Sequence, residues 1–393
     1  MVKSIHYSEI IFNCLKQLNL IQTFNKIAIK HFMTIIMAVL MHGYNGKPIN
    51  FEACSDCHRT TIAHFLNNGK WDTEKLEDIL KSCVVSVIYN QAVISGKPIY
   101  CIIDDTVASK TKPSSKALHP IEDAYFHHSH LKKTYDYGHQ AVSVMLSCNG
   151  ITLNYAFVMY NKSVSKISIA ENIAQELPAA PVISYFLCDC WYTSVTVMEK
   201  FLLKGFYTVG AVKTNRVIYP AGIKQQIKEF ACHIRKSDND VSLVTAGGRE
   251  YYVYRYEGKL NGIENAVILL SYPKDAFGVS KALRAFICTN VSLSTQKIMD
   301  IYLNRWNIEV FFRQIKKILA IDKYQIRKSQ GIQRYWLLMS LTYYICCMCT
   351  GKRNSFRQGY DYFSKKIQQE QIEYIYKCGQ NNIPLENIFK SIA

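Results

Sequence analysis

Apolar residues recur at helical spacing through most of the first 95 residues. The pattern covers residues 10–20, 27–41 and 76–89, with strong breaks only at 43–48 and 67–69. Apolar residues three and four positions apart lie on one face of a helix, which packs against a neighbour. The sequence therefore predicts a small helical domain over residues 1–95.

From Lys97 onward the apolar residues form short runs typical of β-strands. Residues 98–103 are a continuous apolar run, and Ser147 to Gly150 separates two further runs, 140–146 and 151–160. An Asn-Gly turn between two such runs is a strong hairpin signal. A helix over 163–177, a strand over 182–188, a helix ending at Leu203 and a strand over 206–212 follow. Strands and helices thus alternate over 96–212, which indicates an α/β core.

The second half of the chain contains a β-rich part and a helical part. Residues 213–292 carry alternating or β-branched runs separated by Gly, Asn and Pro, which predicts a β-rich insertion. Residues 293–350 hold a helix over 302–316 and an apolar helix that starts at Tyr335. Residues 351–393 form a tail rich in Lys, Arg and Tyr with a weak helical pattern.

The helix predicted over 302–316 combines an apolar stripe with a charged face. At 100° per residue, Tyr302, Arg305, Glu309 and Lys316 fall within an arc of about 60°. Between residues 305 and 334, Lys and Arg outnumber Asp and Glu by eight to two. A lone carboxylate among cations suits a site that holds a metal ion beside a polyanion. An amphipathic surface helix with a solvated basic face would have the same pattern.

Acidic residues follow two of the predicted strands. Asp104 and Asp105 come directly after the run 98–103, and Asp189 comes directly after the run 182–188. Buried strands often deliver catalytic side chains at their carboxyl ends, although Asp also favours turns and helix caps. Neighbouring strand residues point to opposite faces, so we do not expect Asp104 and Asp105 to bind the same metal.

The charge balance of the chain favours a nucleic-acid partner. The 393 residues include 47 Lys and Arg against 30 Asp and Glu, a net charge of +17. A basic enzyme without a polyanionic partner would show the same balance. The 14 Cys are scattered and follow no secretory leader, so we expect reduced thiols and a cytoplasmic, nucleoid-associated protein. The two long apolar runs, 27–41 and 335–349, are interrupted by polar residues and fall short of the ~20 residues of a membrane span.

The spacing of Tyr302, Arg305, Glu309 and Lys316 resembles the Tyr-Arg-Glu-Lys signature of bacterial insertion-sequence transposases of the DDE type. The resemblance implies an α/β fold with a ribonuclease-H-like mixed-sheet core, here with a β-rich insertion and an N-terminal helical domain. The order of the predicted strands and helices agrees with that core. The first two acids of the family then map to Asp104, with Asp105 as the alternative, and to Asp189.

By this resemblance Asp104, Asp189 and Glu309 hold Mg²⁺ or Mn²⁺, water cuts the transposon end, and the freed 3′-hydroxyl attacks target DNA. The implied partners are double-stranded DNA and a second copy of the chain, a homodimer, in the active complex. Trp306 either stacks on an unpaired base or packs in the core. The implied DNA contacts are Tyr302, Arg305, Lys316, Trp306, Arg313 and Lys317. Independently of the resemblance, residues 58–66 suit the start of a helix where Arg59 either meets DNA phosphates or belongs to a simple helix cap.

Other motifs leave alternatives open. Cys54, Cys57 and His58 match a haem-attachment pattern, which we attribute to chance. His127, His128 and His130 could suggest zinc, but no Cys or acid stands at ligand spacing. We expect Lys132, Lys133 and His139 to line a DNA path, and Lys213, Asn215 and Arg216 to contact DNA or form a polar loop.

Two other functions remain compatible with these residues. One is a metal-dependent nuclease on the same fold that cuts DNA but does not join it. The other is a DNA-binding protein derived from a transposase that no longer has catalytic activity. The presence of all three acids argues against the second alternative, but only their geometry can decide whether they form a site.

Overall fold

The computed structural model describes residues 7–42, 48–52, 54–118, 120–129, 134–350 and 355–392. The described part of the first 95 residues is helical, as the apolar spacing predicts. Side chains of Ser8 and Asp72 cap the first and the last of these helices. The helices are α1 (Glu9–Gln17), α2 (Leu20–Thr23), α3 (Lys26–His42), α4 (Pro48–Glu52), α5 (Arg59–Asn68) and α6 (Thr73–Ser95).

The next part of the chain forms a mixed β-sheet flanked by helices. Strands β4, β3, β1, β5 and β6 lie side by side in this order; β1, β5 and β6 are parallel, and β3 is antiparallel to β1 and β4. This is the arrangement of a ribonuclease-H-like core, so the predicted fold class is confirmed. The elements are β1 (Tyr100–Ser109), β2 (Tyr125–Ser129), β3 (Thr134–Cys148), β4 (Ile151–Tyr160), α7 (Lys166–Glu176), β5 (Ser184–Cys188), α8 (Val195–Leu202) and β6 (Phe206–Val212).

The hairpin between β3 and β4 has the turn that its sequence predicts. Asn149 and Gly150 both have positive φ, 47° and 78°, as a two-residue type I′ turn requires. The pairing that closes the hairpin joins Cys148 to Ile151. The turn therefore sets the register of β4 on β3.

The β-rich insertion extends the same sheet. Strand β12 pairs antiparallel with β6, and the described residues form one sheet of 12 strands. A second, smaller hydrophobic core lies under it and includes Ile218, Ile227, Leu260 and Ile268. The elements are β7 (Val217–Ile218), β8 (Gln225–Gln226), α9 (Ile227–Phe230), β9 (Val241–Ala246), β10 (Arg249–Leu260), β11 (Ile263–Pro273) and β12 (Arg284–Cys288).

The C-terminal helices cover the sheet and join it to the N-terminal helices. The apolar helix α12 is buried along most of its length and packs against α5, α13 and β4. Among the described helices, none is long and apolar enough to cross a membrane. The domain boundaries stay predictions. The helices are α10 (Thr295–Leu303), α11 (Trp306–Lys317), α12 (Ser329–Met348), α13 (Phe356–Gln380) and α14 (Leu385–Ile392).

Two strand predictions are wrong. Strand β1 does not end at residue 103 but continues to Ser109, because β3 pairs with it along its whole length, from Tyr100 to Ser109. Residues 111–137 are polar and rich in Lys and His, which predicts a loop, but the structure has β2 and the beginning of β3 there, paired with each other. Their polar residues hide the strand pattern, since β2 lies at the edge of the sheet.

The helix predicted over 302–316 is in fact two helices. Helix α10 ends at Leu303 and α11 begins at Trp306. Between them the amides of Asn304 and Arg305 donate to carbonyls three residues back, at 3.1 and 2.9 Å. Such tight turns change the angular spacing of the side chains. The single charged face is therefore interrupted between Tyr302 and Glu309.

Candidate active site

Two parallel strands bring Asp104 and Asp189 to the same edge of the sheet. Strand β1 pairs with β5 only over residues 100–102, opposite 185–187. Asp104 lies two residues beyond this pairing, and Asp189 is the first residue after β5. The two carboxylates are close enough for the charge of Asp189 to raise the pKa of Asp104. The strand ends therefore place both acids in one site.

Arg305 connects this site to Glu309. Its Nη1 atom donates to Oδ2 of Asp104 at 2.8 Å, and its Nη2 atom donates to Oε1 of Glu309. Glu309 lies in the first turn of α11, one helical turn after Arg305. Two segments up to 205 positions apart, around residues 104 and 305–309, thus meet at one guanidinium group.

The two aspartates are held in an environment that disfavours their charged forms. Burial raises the pKa of Asp104 to about 7; Arg305 opposes this shift, and the negative charge of Asp189 adds to it. Burial also raises the pKa of Asp189, against a 2.9 Å hydrogen bond from the backbone N–H of Trp191. Two half-buried acids with raised pKa values at one site are typical of functional sites.

Asp105 has a different set of partners. Its Oδ2 atom accepts from Lys166 at 2.8 Å and from the Tyr192 hydroxyl at 3.3 Å, and its Oδ1 atom accepts from Gln140 at 2.5 Å. Because successive strand residues point to opposite faces, this carboxylate lies on the other side of β1 from Asp104. Of the two neighbours, Asp104 is the one that contacts Arg305.

Two other residues of the charged face lie close to these acids. Tyr302 packs on Phe286, with ring centroids 4.7 Å apart, and burial raises its pKa to about 12, against the nearby Arg305 charge. Lys316 Nζ donates to the carbonyl of Val107 at 3.0 Å, on the same strand as Asp104. Tyr302, Arg305 and Lys316 therefore remain grouped around β1 despite the break between α10 and α11.

The remaining DNA-contact candidates lie on the surface. Trp306 is 58% exposed, so its packing in the core, one of the two alternatives, is excluded. Arg313 and Lys317 are exposed on α11. Arg59 is exposed at the start of α5, which packs against α12 and not on the strands of the site.

The histidine-rich region corrects one prediction. His139 does not line a DNA path, because it is fully buried, with Nε2 2.7 Å from the Glu122 carbonyl and Nδ1 2.7 Å from the Tyr324 hydroxyl. His127 is also buried, and its ring nitrogen lies 3.2 Å from the Gly138 carbonyl. His130, Lys132 and Lys133 lie outside the described residues.

Arg216 and His58 have structural partners. The Arg216 guanidinium donates to the Thr193 carbonyl and so ties the loop after β6 to the segment after Asp189. His58 caps α5 by accepting the Thr60 N–H at 3.3 Å. Lys213 and Asn215 are exposed.

No pattern in the sequence indicates the residues that donate hydrogen bonds to Asp105. Lys166 is the first residue of α7, and Gln140 lies on β3, 61 and 35 positions away from Asp105. No local pattern marks either residue, because each contact depends on the pairing of distant elements. Lys166 directly follows Ser165, the N-cap of α7, but a Lys at this position is common on protein surfaces and so does not indicate a contact with Asp105.

The carboxylates of Asp104, Asp189 and Glu309 are suitable ligands for a divalent metal, but the Arg305 guanidinium contacts two of them. Within the ranges that the structure describes, no three His, Cys, Asp or Glu side chains stand close enough together to share a metal ion. Arg305 lies between Asp104 and Glu309 and contacts both. Carboxylate oxygens are the ligands that Mg²⁺ and Mn²⁺ prefer, so the donor types fit although the guanidinium stands among them.

One of two comparisons with known proteins identifies a family for the chain. A search of curated proteins finds no match to the chain. A family model described as "Transposase DDE domain" matches residues 95–345, which include β1, β5 and α11 with the three acids. Because this match covers more than half of the 393 residues, the chain belongs to the transposase DDE domain family.

Proposed function

We propose that this transposase cuts DNA at the ends of its element and joins the freed ends to target DNA. The observation that carries the proposal is that Arg305 contacts both Asp104 and Glu309, while Asp189, directly after β5, lies close enough for its charge to act on Asp104. All three acids lie within the part of the chain that matches the family. The net charge of +17 suits a polyanionic substrate.

Asp104, Asp189 and Glu309 would hold the divalent metals that DDE transposases generally use, Mg²⁺ or Mn²⁺. The raised pKa of Asp104 supports this assignment, since burial and, to a smaller extent, the charge of Asp189 disfavour its carboxylate form, which a divalent cation would stabilise. Two such ions would supply an activated water and stabilise the leaving oxygen. Before Glu309 and Asp104 can share a metal, Arg305 has to release at least one of them.

Tyr302, Arg305 and Lys316 would position the DNA. Arg305 carries a planar donor group that matches a phosphate as well as a carboxylate, so a phosphate can replace Asp104 or Glu309 as its partner. The exposed Trp306, Arg313 and Lys317 extend the same surface along α11. Arg59 at the exposed start of α5 would contact DNA outside the acidic site.

The active complex would contain two copies of the chain, because joining both ends of one element requires two acidic sites. Mass measurement of the protein on DNA that carries one end, and on DNA that carries two, tests this directly. Two copies on paired ends support the homodimer, and one copy that joins both ends contradicts it.

The decisive experiment follows cleavage of DNA that carries the terminal repeats of the element. Wild type with Mg²⁺ or Mn²⁺ is compared with Glu309→Gln, which keeps the size of the side chain and removes its charge. Glu373→Gln is the matched control, because Glu373 is an exposed acid on α13. We expect cleavage by wild type and Glu373→Gln, and a loss of at least about 100-fold in Glu309→Gln.

A second substrate with a pre-cut 3′ end separates the two alternatives. Joining of this end to target DNA supports the transposase. Cutting of the first substrate without joining of the second would identify a nuclease. Specific binding with neither reaction, unchanged in Glu309→Gln, would identify a DNA-binding protein without catalytic activity.

A further inference from the structure

An exposed tryptophan stands beside Asp189. Trp191 is 52% exposed, although it lies only two residues after this acid, and its backbone N–H donates to Asp189 Oδ1 at 2.9 Å. The next residue, Tyr192, points inward and contacts Asp105 at 3.3 Å. The backbone around Trp191 is thus held from both sides, while half of the Trp191 surface stays in contact with water.

Two lysines lie against the Trp191 ring. The ammonium groups of Lys166 and Lys213 are 5.3 and 5.4 Å from its centroid. The Lys166 side chain is only 14% exposed and is fixed by its ion pair with Asp105 at 2.8 Å. Lys213 follows β6 and is exposed, so its ammonium group is free to move toward a ligand in solvent. The ring therefore has one fixed and one mobile cation beside it.

This combination has the chemistry of a site for an unpaired nucleotide. An exposed indole offers a flat surface on which any base can stack, and adjacent ammonium groups neutralise the phosphate of the same nucleotide. A paired base inside a duplex cannot reach such a ring without leaving its stack. The position of Trp191 next to Asp189 places this surface at the border of the acidic site.

We propose that Trp191 stacks an unpaired nucleobase of the DNA strand that lies across Asp104 and Asp189, while Lys213 binds its phosphate. The proposal rests on the proposed function, since it takes these acids as the place where DNA is cut. Trp191 is a positioning residue in this scheme, because it holds the strand next to the reacting phosphate. Asp105 contributes indirectly by fixing Lys166 against the ring.

The test measures DNA binding without metal, so that cleavage plays no part. The probe is an oligonucleotide with one unpaired 2-aminopurine, whose fluorescence falls when the base stacks on an aromatic ring. A fully paired duplex of the same length is the reference. The variants are Trp191→Phe, which keeps an aromatic face, and Trp191→Leu, which keeps apolar bulk only. Tyr376→Ala is the control, because Tyr376 is an aromatic residue, 66% exposed, on the distant element α13.

We expect Trp191→Leu to lose the quenching and to bind the unpaired probe about 10- to 100-fold more weakly, with duplex binding unchanged. Trp191→Phe should keep most of both signals, and Tyr376→Ala should match wild type. Equal behaviour of the Leu and Phe variants, or equal weakening of both probes, would overturn the proposal. Cleavage by wild type is measured separately; if it is absent while the quenching persists, the proposed function fails and the stacking site stands.

Discussion

Arg334 offers a sharp test of how the N-terminal helices are attached to the core. It is only 4% exposed, although it ends a stretch, residues 305–334, in which Lys and Arg outnumber Asp and Glu by eight to two. Its guanidinium donates to Thr73 Oγ1 at 3.0 Å and to the carbonyls of Leu66 and Trp71, each at 3.2 Å. It also lies 4.7 Å from the centre of the Trp71 ring. A single side chain of α12 thereby binds the end of α5 and the start of α6.

We expect Arg334→Met to destabilise the protein by about 3–5 kcal/mol. Hydrogen bonds to a charged donor contribute ~1.5–3 kcal/mol each, and the substitution removes four, the longest of them to the Phe65 carbonyl at 3.5 Å. The carbonyls of Leu66 and Trp71 would be left without these donors in a buried environment, which adds to the loss. Burial lowers the pKa of Arg334, which shows that burying the charged guanidinium costs free energy. The variant avoids this cost, so the net destabilisation is smaller than the sum of the lost hydrogen bonds.

Urea unfolding followed by circular dichroism gives the change in the free energy of unfolding. Hydrogen exchange locates the change, since protection should fall most in α5 and in the first turn of α6. Arg313→Met is the matched control, because Arg313 is exposed on α11 and its substitution should cost less than about 0.5 kcal/mol. A loss of less than about 1 kcal/mol in Arg334→Met, or an equal loss in the two variants, would refute the reasoning.

Three further predictions concern packing and charge. Gly359→Ala should destabilise the protein by about 3 kcal/mol or more, because the new Cβ would lie 1.7 Å from the Cys346 carbonyl oxygen of α12. Gly379→Ala should stabilise the protein by about 0.5 kcal/mol, because its Cβ would have no neighbour within 4 Å; thermal unfolding tests both substitutions. Without metal, Asp104 binds its proton more tightly in the folded state, with a pKa of about 7 against 3.8, so its contribution to stability falls as pH rises between these values. The stability of Asp104→Asn relative to wild type should therefore be higher at pH 8 than at pH 5, and parallel profiles of stability against pH would contradict this. Asp105→Asn should weaken the contacts to Lys166 and Tyr192 and lower the cleavage rate, but it should not change the affinity of the protein for Mn²⁺. Electron paramagnetic resonance measures this affinity, and a large loss would instead identify Asp105 as a metal ligand.

The features that could be predicted from the sequence depend on neighbouring residues. Asn149 and Gly150 specify a turn by their own backbone preferences, and the apolar run 206–212 is a strand in the structure with the same ends. The end of the apolar run 182–188 indicated Asp189 for the same reason, since β5 ends at Cys188, whereas Asp104 lies within β1. In each case the physical cause lies within a few residues of the feature.

The features that could not be predicted depend on contacts between distant segments. His139 and Tyr324 are 185 positions apart, yet their hydrogen bond fixes His139 in the core. The break before α11 is another case, since Asn304 and Arg305 are compatible with a continuous helix. The choice between Asp104 and Asp105 as the partner of Arg305 likewise required the direction of each carboxylate, which only the pairing of β1 with β3 defines.

The topology of the insertion explains how Glu309 reaches the aspartates across 120 intervening positions, 189 to 309. The insertion leaves the core after β6 and returns through β12, which pairs antiparallel with β6 from Ala285 opposite Val212 to Cys288 opposite Val209. Its two ends therefore lie side by side, and its length does not alter the distance between them. Helix α10 starts seven residues after β12, 288 to 295, and contacts β6 of the core and β9 of the insertion, so the chain returns to β1 through α11. The position of Glu309 thus follows from the β6–β12 pairing and from the packing of α10 on β6 and β9, and we expect parts of the insertion outside these contacts to vary in length without moving the acid.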